Sequence, residues 1–251
     1  MILMPFCRNS FHSFSKMRTR IVIPTYNERE NIISLIEKLF RVMPRDARIL
    51  VIDDGSPDGT AGLIREYTAK DSRISLMERS GKLGMGSAYQ AAFRKVLNDG
   101  GDDLIVTMDA DLSHNPKYVP ELVRAAENYD LVIGSRYIPG GGIENWELWR
   151  RLLSWGGNFY VRAITGLPIR DCTAGLSCMK TDFLRKVPFE KVKPSGYAWW
   201  FTLRMMFHRR GARIKEIPIV FTERRAGQSK INTGIIWEGL IEPWRIRFSK
   251  L

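Results

Sequence analysis

Four short apolar runs, at residues 21–24, 49–52, 74–77 and 104–108, alternate with segments whose apolar residues recur at helical spacing, and this restricts the chain more than any other feature. Runs of four or five apolar residues have strand length, and strands that alternate with helices pair in parallel under a helical cover. The first helix carries the stripe Ile32, Leu35, Ile36, Leu39 and Phe40, with Asn27 and Glu30 before it as a capping pair. The second strand runs into Asp53-Asp54-Gly55-Ser56-Pro57-Asp58-Gly59-Thr60, a loop by its turn residues, and a helix follows to about Lys70. Gly84-Met85-Gly86 opens a third helix that reaches Asn98. In such sheets ligands bind beyond the carboxyl ends of the strands, so the polar loops at 26–28, 53–54 and 109–111 are expected to face one crevice.

The run 104–108 ends abruptly in Asp109-Ala110-Asp111, with Pro116 soon after. Side chains two apart on a strand share a face, so both carboxylates can aim into that crevice. Adjacent carboxylates repel, whereas a hard divalent cation neutralises both and keeps coordination sites for phosphate oxygens. A metal-bridged diphosphate follows from that chemistry. The alternative is an acidic loop that caps a helix, with Ser113 or Asn115 as N-cap and Pro116 at the first helical position. Gly84-x-Gly86 is not a full dinucleotide fingerprint, because Tyr89 stands where the third glycine would be, and no Walker pattern occurs. These absences argue against a dehydrogenase and a P-loop enzyme.

The second half has a different texture. A strand at 131–133 leads into Gly134-Ser135-Arg136-Tyr137 and a glycine-rich turn at 140–142. From 146 to 164, Trp146, Trp149, Leu152, Leu153, Trp155, Phe159 and Tyr160 fall near helical spacing with Arg150, Arg151 and Arg162 between them. Such interleaving suits a membrane interface, and equally a core helix with a solvated basic edge. Strands are expected at 172–179 and 213–221 with a helix at 199–208 between them, then a charged loop, 223–230, able to clamp phosphate if it folds over the crevice. A last helix carries Ile236, Leu240, Ile241, Trp244 and Phe248 with Arg245, Arg247 and Lys250. The net charge of +12 points to phosphates, nucleic acid or anionic lipid as partners. Cys7, Cys172 and Cys178 are odd in number without metal-ligand spacing, which favours a reducing compartment and no zinc. Residues 1–18 read as a loosely ordered extension without a signal peptide, and the most apolar segment, 197–207, is interrupted by Arg204 and too short to span a bilayer.

Taken in order, Pro24-Thr25-Tyr26-Asn27-Glu28, the Asp53–Thr60 loop, Asp109-Ala110-Asp111, Gly134-Ser135-Arg136-Tyr137 and the segment from Arg224 to Lys230 resemble the polyprenol (dolichol) phosphate mannosyltransferases, inverting glycosyltransferases of family 2. The resemblance implies a GT-A fold, a Rossmann-like α/β architecture with a mostly parallel sheet, over residues 19–230, followed by an amphipathic interface helix at 231–251. It implies that Pro24, Tyr26, Glu28, Ile52 and Asp54 contact the nucleotide, and that Asp109, Ala110 and Asp111 hold Mg²⁺ or Mn²⁺ and the donor. Arg224 and Lys230 match the cations on the donor phosphates, Arg136 the arginine near sugar and acceptor phosphate, and Arg150, or Arg151 beside it, a second acceptor-phosphate arginine. Where some members place a glutamine in the metal shell this chain has Ser113, which offers only a hydroxyl. His114 is read as a helix-opening residue and not a base, since an acceptor phosphate monoester is largely dianionic at pH 7.

The expected reaction is mannose transfer from GDP-mannose to polyprenyl or dolichyl phosphate, with Asp111, Arg136 and Arg150 as catalytic residues. The enzyme is expected at the cytoplasmic face of a membrane, peripheral and without a transmembrane helix, and the resemblance leaves room for an anchoring subunit. A UDP-glucose-dependent glucosyltransferase is the nearest rival. A non-catalytic lipid- or nucleic-acid-binding protein is a rival of another class, disfavoured because clustered aspartates repel a polyanion.

Overall fold

A computed structural model of the chain describes residues 17–193, 196–223 and 233–249. The expected alternation is present: β1 (Thr19–Thr25), α1 (Ile32–Val42), β2 (Arg48–Asp53), α2 (Thr60–Thr68), β3 (Ile74–Glu78), α3 (Met85–Asp99) and β4 (Leu104–Thr107). There follow α4 (Val119–Ala125), β5 (Leu131–Ser135), β6 (Gly142–Glu144), α5 (Leu148–Thr165), β7 (Ser177–Lys180), α6 (Thr181–Leu184), α7 (Ala198–Arg209), β8 (Ile214–Pro218), β9 (Val220–Thr222) and α8 (Thr233–Phe248). Seven strands form one sheet in the order β3-β2-β1-β4-β7-β5-β8, and β6 pairs with β9 apart from it. All neighbours in the large sheet are parallel except β7, which runs antiparallel between β4 and β5.

Strand alternation divides the core. Ile21, Ile23, Ile49 and Val51 face Ile32, Leu35 and Leu39 on one side, while Val22, Leu50 and Ile52 face the aromatic cluster of Tyr89, Phe93, Trp199 and Trp200 on the other. Each buried aliphatic side chain of this kind contributes about 1.5–3 kcal/mol. At the amino end of the sheet Asp102 is enclosed by Arg20 (3.0 Å) and Arg48 (2.6 Å), so a buried charge there is structural and the opposite end carries the loops.

Several local expectations are corrected. Asn27 and Glu30 do not cap α1: Asn27 takes a left-handed φ of 59° and gives its backbone N–H to Ser56, and the helix begins at Ile32. The strand expected at 172–179 shortens to β7, because residues 171–176 form the loop that brings Asp171 and Gly175 to the site. The strand expected over 213–221 divides into β8 and β9, which leave β5 for β6 beyond Pro218. Trp146 lies ahead of α5, which starts at Leu148. Residues 17 and 18 are not loose, since the Arg18 backbone N–H donates to Asp103 (2.7 Å) and β1 follows at once. Cys172 and Cys178 are buried free thiols. Residues 1–16, with Cys7, lie outside the described residues, as does Lys250.

α5 and α8 pack together at the carboxyl end of the chain. The Tyr160 hydroxyl donates to the Leu240 carbonyl (2.8 Å) and accepts from Trp244 Nε1 (2.9 Å), and Arg209 of α7 donates to the carbonyls of Ile246, Arg247 and Ser249. Pro243 and Ile246 are buried, yet Trp237, Leu240, Ile241, Trp244 and Phe248 remain exposed beside Leu148, Trp149, Leu152, Trp155 and Phe159 of α5. The two helices thus pack against each other while each leaves large apolar side chains exposed. Among the described residues no helix is long and apolar enough to cross a membrane.

Candidate active site

The loops after β1 and β2 are brought together by strand register, since Thr25 pairs with Asp53 and the Asp54 N–H donates to the Thr25 carbonyl (3.0 Å). Asp53 serves its own loop, accepting from Thr25 Oγ1 (2.9 Å) and from Ser56 N (2.8 Å) and Oγ (2.6 Å). Asp54 lies 2.8 Å from Arg79 Nη1, an ion pair without hydrogen-bond geometry. Burial raises the Asp54 carboxyl above the ordinary aspartate range, and Arg79 offsets only part of that rise. Glu28 accepts from Asn31 Nδ2 (3.0 Å), while the Tyr26 ring lies 4.4 Å from Lys82 Nζ at the crevice rim. Pro24 is the register partner of Ile52, whose side chain is wholly in the core, so Ile52 has only its backbone to offer a ligand. Arg79 and Lys82 gave no signal in sequence, because the β3–α3 loop that carries them has no motif.

β4 is anchored at its end by Thr107 Oγ1, which donates to the Gly175 carbonyl (2.8 Å), and beyond it Met108 and Ala110 turn inward. Asp109 and Asp111 alternate with them. Leu112 adopts φ 61°, and Asp111 accepts from Ser113 N (3.1 Å) and Oγ (2.5 Å), a local turn that orients the carboxylate. Ser113 therefore steadies Asp111 and is not the N-cap. Asn115 is the N-cap, accepting from Lys117 N (3.0 Å) with Pro116 first in the turn, so the capping alternative and the carboxylate pair coexist in one loop. His114 is not the helix-opening residue. It is buried with Nδ1 3.6 Å from Asp109 Oδ2, too far for a hydrogen bond, and burial lowers its pKa against the pull of Asp109 and Asp111. Opposite it, a Cβ on Gly175 would stand 2.8 Å from Asp109 Oδ2, so only glycine lets the carboxylate sit where it does. The Tyr89 hydroxyl is buried without a hydrogen-bond partner, its pKa raised by burial and then by the two carboxylates.

Two carboxylates on one short loop fit a hard divalent ion. Mg²⁺ characteristically binds through one or two carboxylates and completes its octahedron with water and substrate phosphates. No group of three His, Cys, Asp or Glu closes around an ion among the described residues, and the Asp109 side chain is 35% exposed, as such an open site requires.

Phe221 of β9 links this loop to the arginines. Its ring meets His114 edge-on at 5.1 Å and Trp146 at 5.5 Å, and it lies 5.5 Å from the Arg136 guanidinium. Arg136 is held in a two-toothed grip by Asp171 (2.7 Å for both Nε and Nη2), with Nη2 also donating to Thr173 (3.0 Å), which leaves Nη1 as the edge directed elsewhere. Burial opposes the Arg136 charge, but Asp171 more than compensates and holds it above the ordinary arginine range. Asp171 is lowered in return by Arg136 despite its burial. Its loop is fixed by Arg204, whose guanidinium is buried in α7 and donates to the carbonyls of Asp171 (3.0 Å) and Ala174; burial pushes that guanidinium down to about 10. Arg150 lies 4.3 Å from the Trp146 ring and 2.8 Å from Glu223, whereas Arg151 turns to the Ile143 carbonyl. Arg150 therefore shares Trp146 with Arg136, and Arg151 does not. Arg224 and Lys230 lie outside the described residues.

Residues 20–188 match the model of the family described as glycosyl transferase family 2. The chain is 40% identical to an undecaprenyl-phosphate mannosyltransferase of Micrococcus luteus, covering 91% of this chain and 93% of that one. It is 41% identical to a polyprenol monophosphomannose synthase of Mycolicibacterium smegmatis, over 92% and 88% of the two chains. Among solved structures it resembles glucosyl-3-phosphoglycerate synthase from Mycobacterium tuberculosis, in complex with Mn²⁺, UDP and phosphoglyceric acid. The TM-score is 0.64 at 21% identity, covering 92% of this chain and 78% of that one, a likeness of fold. The mostly parallel sheet with its helical cover is accordingly that of a GT-A glycosyltransferase, and the chain belongs to glycosyl transferase family 2.

Proposed function

We propose that this glycosyltransferase moves mannose from GDP-mannose to the phosphate of a polyprenyl or dolichyl lipid, with inversion, at the cytoplasmic face of a membrane. The observation that carries this reading is the adjacency through Phe221 of an acidic loop and an arginine pair. One suits a metal-bound diphosphate and the other a phosphate nucleophile. The names and the extent of similarity of the two mannosyltransferase relatives support the same sugar and acceptor class.

The protein's part in the chemistry is positional and electrostatic. Asp109 and Asp111 would hold Mg²⁺ or Mn²⁺, which supplies positive charge to the leaving diphosphate. Tyr26, Glu28 and Asp54 line the nucleotide end of the crevice. Arg136, through Nη1, and Arg150 hold the acceptor phosphate in line with the sugar, and a dianionic phosphate needs no proton removed before it attacks. Neutral His114 packs behind Asp109 and has no proton-transfer task. The exposed apolar side chains of α5 and α8 support approach to the headgroup layer, where the acceptor's phosphate resides.

The deciding experiment is a donor competition. With polyprenyl phosphate as acceptor, GDP-mannose should be consumed in preference to UDP-glucose, and chelation of divalent ions should stop transfer. Preferential use of UDP-glucose would replace this reading with that of a glucosyltransferase on the same scaffold.

A further inference from the structure

α5 carries a second feature, separate from the arginines around Trp146. Trp155, Asn158, Phe159 and Arg162 fall at i, i+3, i+4 and i+7 and so form one stripe, which with Tyr137 and Arg170 lines a cavity of about 150 Å³. The pocket is half open to the surface and has room for a tetrahedral oxyanion. The polar groups of its floor are already engaged. Asn158 donates to the Ser154 carbonyl (2.8 Å) and accepts from Cys172 N (2.6 Å), and the Tyr137 hydroxyl donates to Ser154 Oγ (2.7 Å). What remains is cationic: Arg162, whose Nε is buried without a hydrogen-bond partner, and the exposed Arg170. A guanidinium can only donate, so the cavity suits an acceptor-rich anion.

Two charges act against an anion here. The carboxyl end of α5 carries about half a negative charge at Gly166, and Glu216 lies nearby. Glu216 spends one acceptor position on each oxygen on the backbone N–H groups of Arg170 (2.8 Å) and Asp171 (2.9 Å), and two full guanidinium charges exceed that carboxylate and the helix end together. At the mouth the Trp155 and Phe159 rings stack 6.0 Å apart and are 57% and 59% exposed, two of the large apolar side chains that α5 leaves uncovered. A cationic pocket rimmed by exposed rings is suited to an anion that arrives attached to hydrocarbon.

We propose that Arg162 and Arg170 form a binding site for the phosphate of an anionic bilayer phospholipid, distinct from the acceptor-phosphate position at Arg136 and Arg150. The site rests on the membrane-facing reading of α5 and α8 and adds a lipid preference to it. Occupancy fixes the protein on the surface by one headgroup while the Trp155 and Phe159 rings enter the interface.

The test is vesicle flotation of the full chain with phosphatidylcholine alone or mixed with phosphatidylglycerol, comparing the parent, Arg170→Gln, and Arg162→Gln/Arg170→Gln. Each arginine should account for about fivefold in partitioning to the anionic vesicles, so the double variant loses about 25-fold. Binding to phosphatidylcholine should barely change. Arg170 is exposed, so the single variant carries the test even if loss of Arg162 disturbs folding. Sugar-nucleotide affinity, and KM for polyprenyl phosphate in phospholipid-free micelles, should match the parent. An undiminished preference for anionic vesicles overturns the site, and a raised KM in micelles overturns it by assigning the pocket to the acceptor's own phosphate. Failure of the parent to float with either vesicle would instead overturn the membrane-facing reading on which the site rests.

Discussion

The two charged regions of the site are held in different ways. On the acidic side, Asp53, Asp58 and Asp111 each accept from a hydroxyl two or three residues further on in their own loops, those of Ser56, Thr60 and Ser113. On the basic side, Arg136 reaches a partner 35 residues away in Asp171, and Arg150 one 73 residues away in Glu223. Local turns form wherever the backbone turns, so the acidic loop can lose a carboxylate and remain folded. The arginine side exists only in the finished fold, and removing a partner there exposes a buried charge. Chemistry and stability should therefore respond separately to substitution in the two regions.

Asp171→Ala tests this most severely. It leaves the buried Arg136 guanidinium without its carboxylate and should cost about 3–5 kcal/mol in thermal unfolding. An unchanged melting temperature would mean that the pair contributes nothing and that the contrast is illusory. Asp111→Ala should do the reverse, raising the barrier to transfer by about 3–4 kcal/mol, or roughly 100- to 1000-fold in rate, while stability stays within about 0.5 kcal/mol. A wild-type rate with metal present would remove Asp111 from the chemistry.

The smallest effect is one of sign against pH. Asp171 is held below its ordinary range by Arg136, against its own burial, so its stabilisation is complete above the unfolded aspartate pKa and is lost as pH falls through the lowered folded value. Asp54 is raised by burial, so the fold favours its protonated form, and stability falls as pH climbs from 3.8 through that raised value. Asp54→Asn should thus raise the melting temperature slightly at pH 7 and leave it unchanged near pH 3. A lower melting temperature at pH 7 would show that Arg79 outweighs the burial of Asp54.

The same division governs what could be read from the chain beforehand. The strand–helix alternation and the acidic loop were legible because each is written in a few consecutive residues: an apolar run, an Asp-x-Asp, an Asn-Pro. The two arginines were reachable only by resemblance to a family. Asp171 was invisible, since its partner is remote and the loop around it has no periodicity. Arg204 left a trace as the charge interrupting an apolar segment, and its burial on carbonyl groups shows what such an interruption can mean. The antiparallel insertion of β7 had no local signature, because pairing direction depends on what lies beside a strand. Asn27 and Glu30 had the right spacing for a cap, but the crevice loop claimed Asn27 for Ser56.

α5 has a further consequence as a measuring device. Arg150 near its start and Asn158 midway look inward at the site, while Trp149, Leu152, Trp155 and Phe159 look outward. Eight residues of helix span about 12 Å, so the separation of Arg150 from Asn158 along the helix axis is set by a rigid rod. One residue inserted between Arg150 and Asn158 would turn the two ends by about 100° relative to each other. Such a variant could keep an intact arginine cluster and an intact apolar face, yet aim them in directions that no longer serve one lipid.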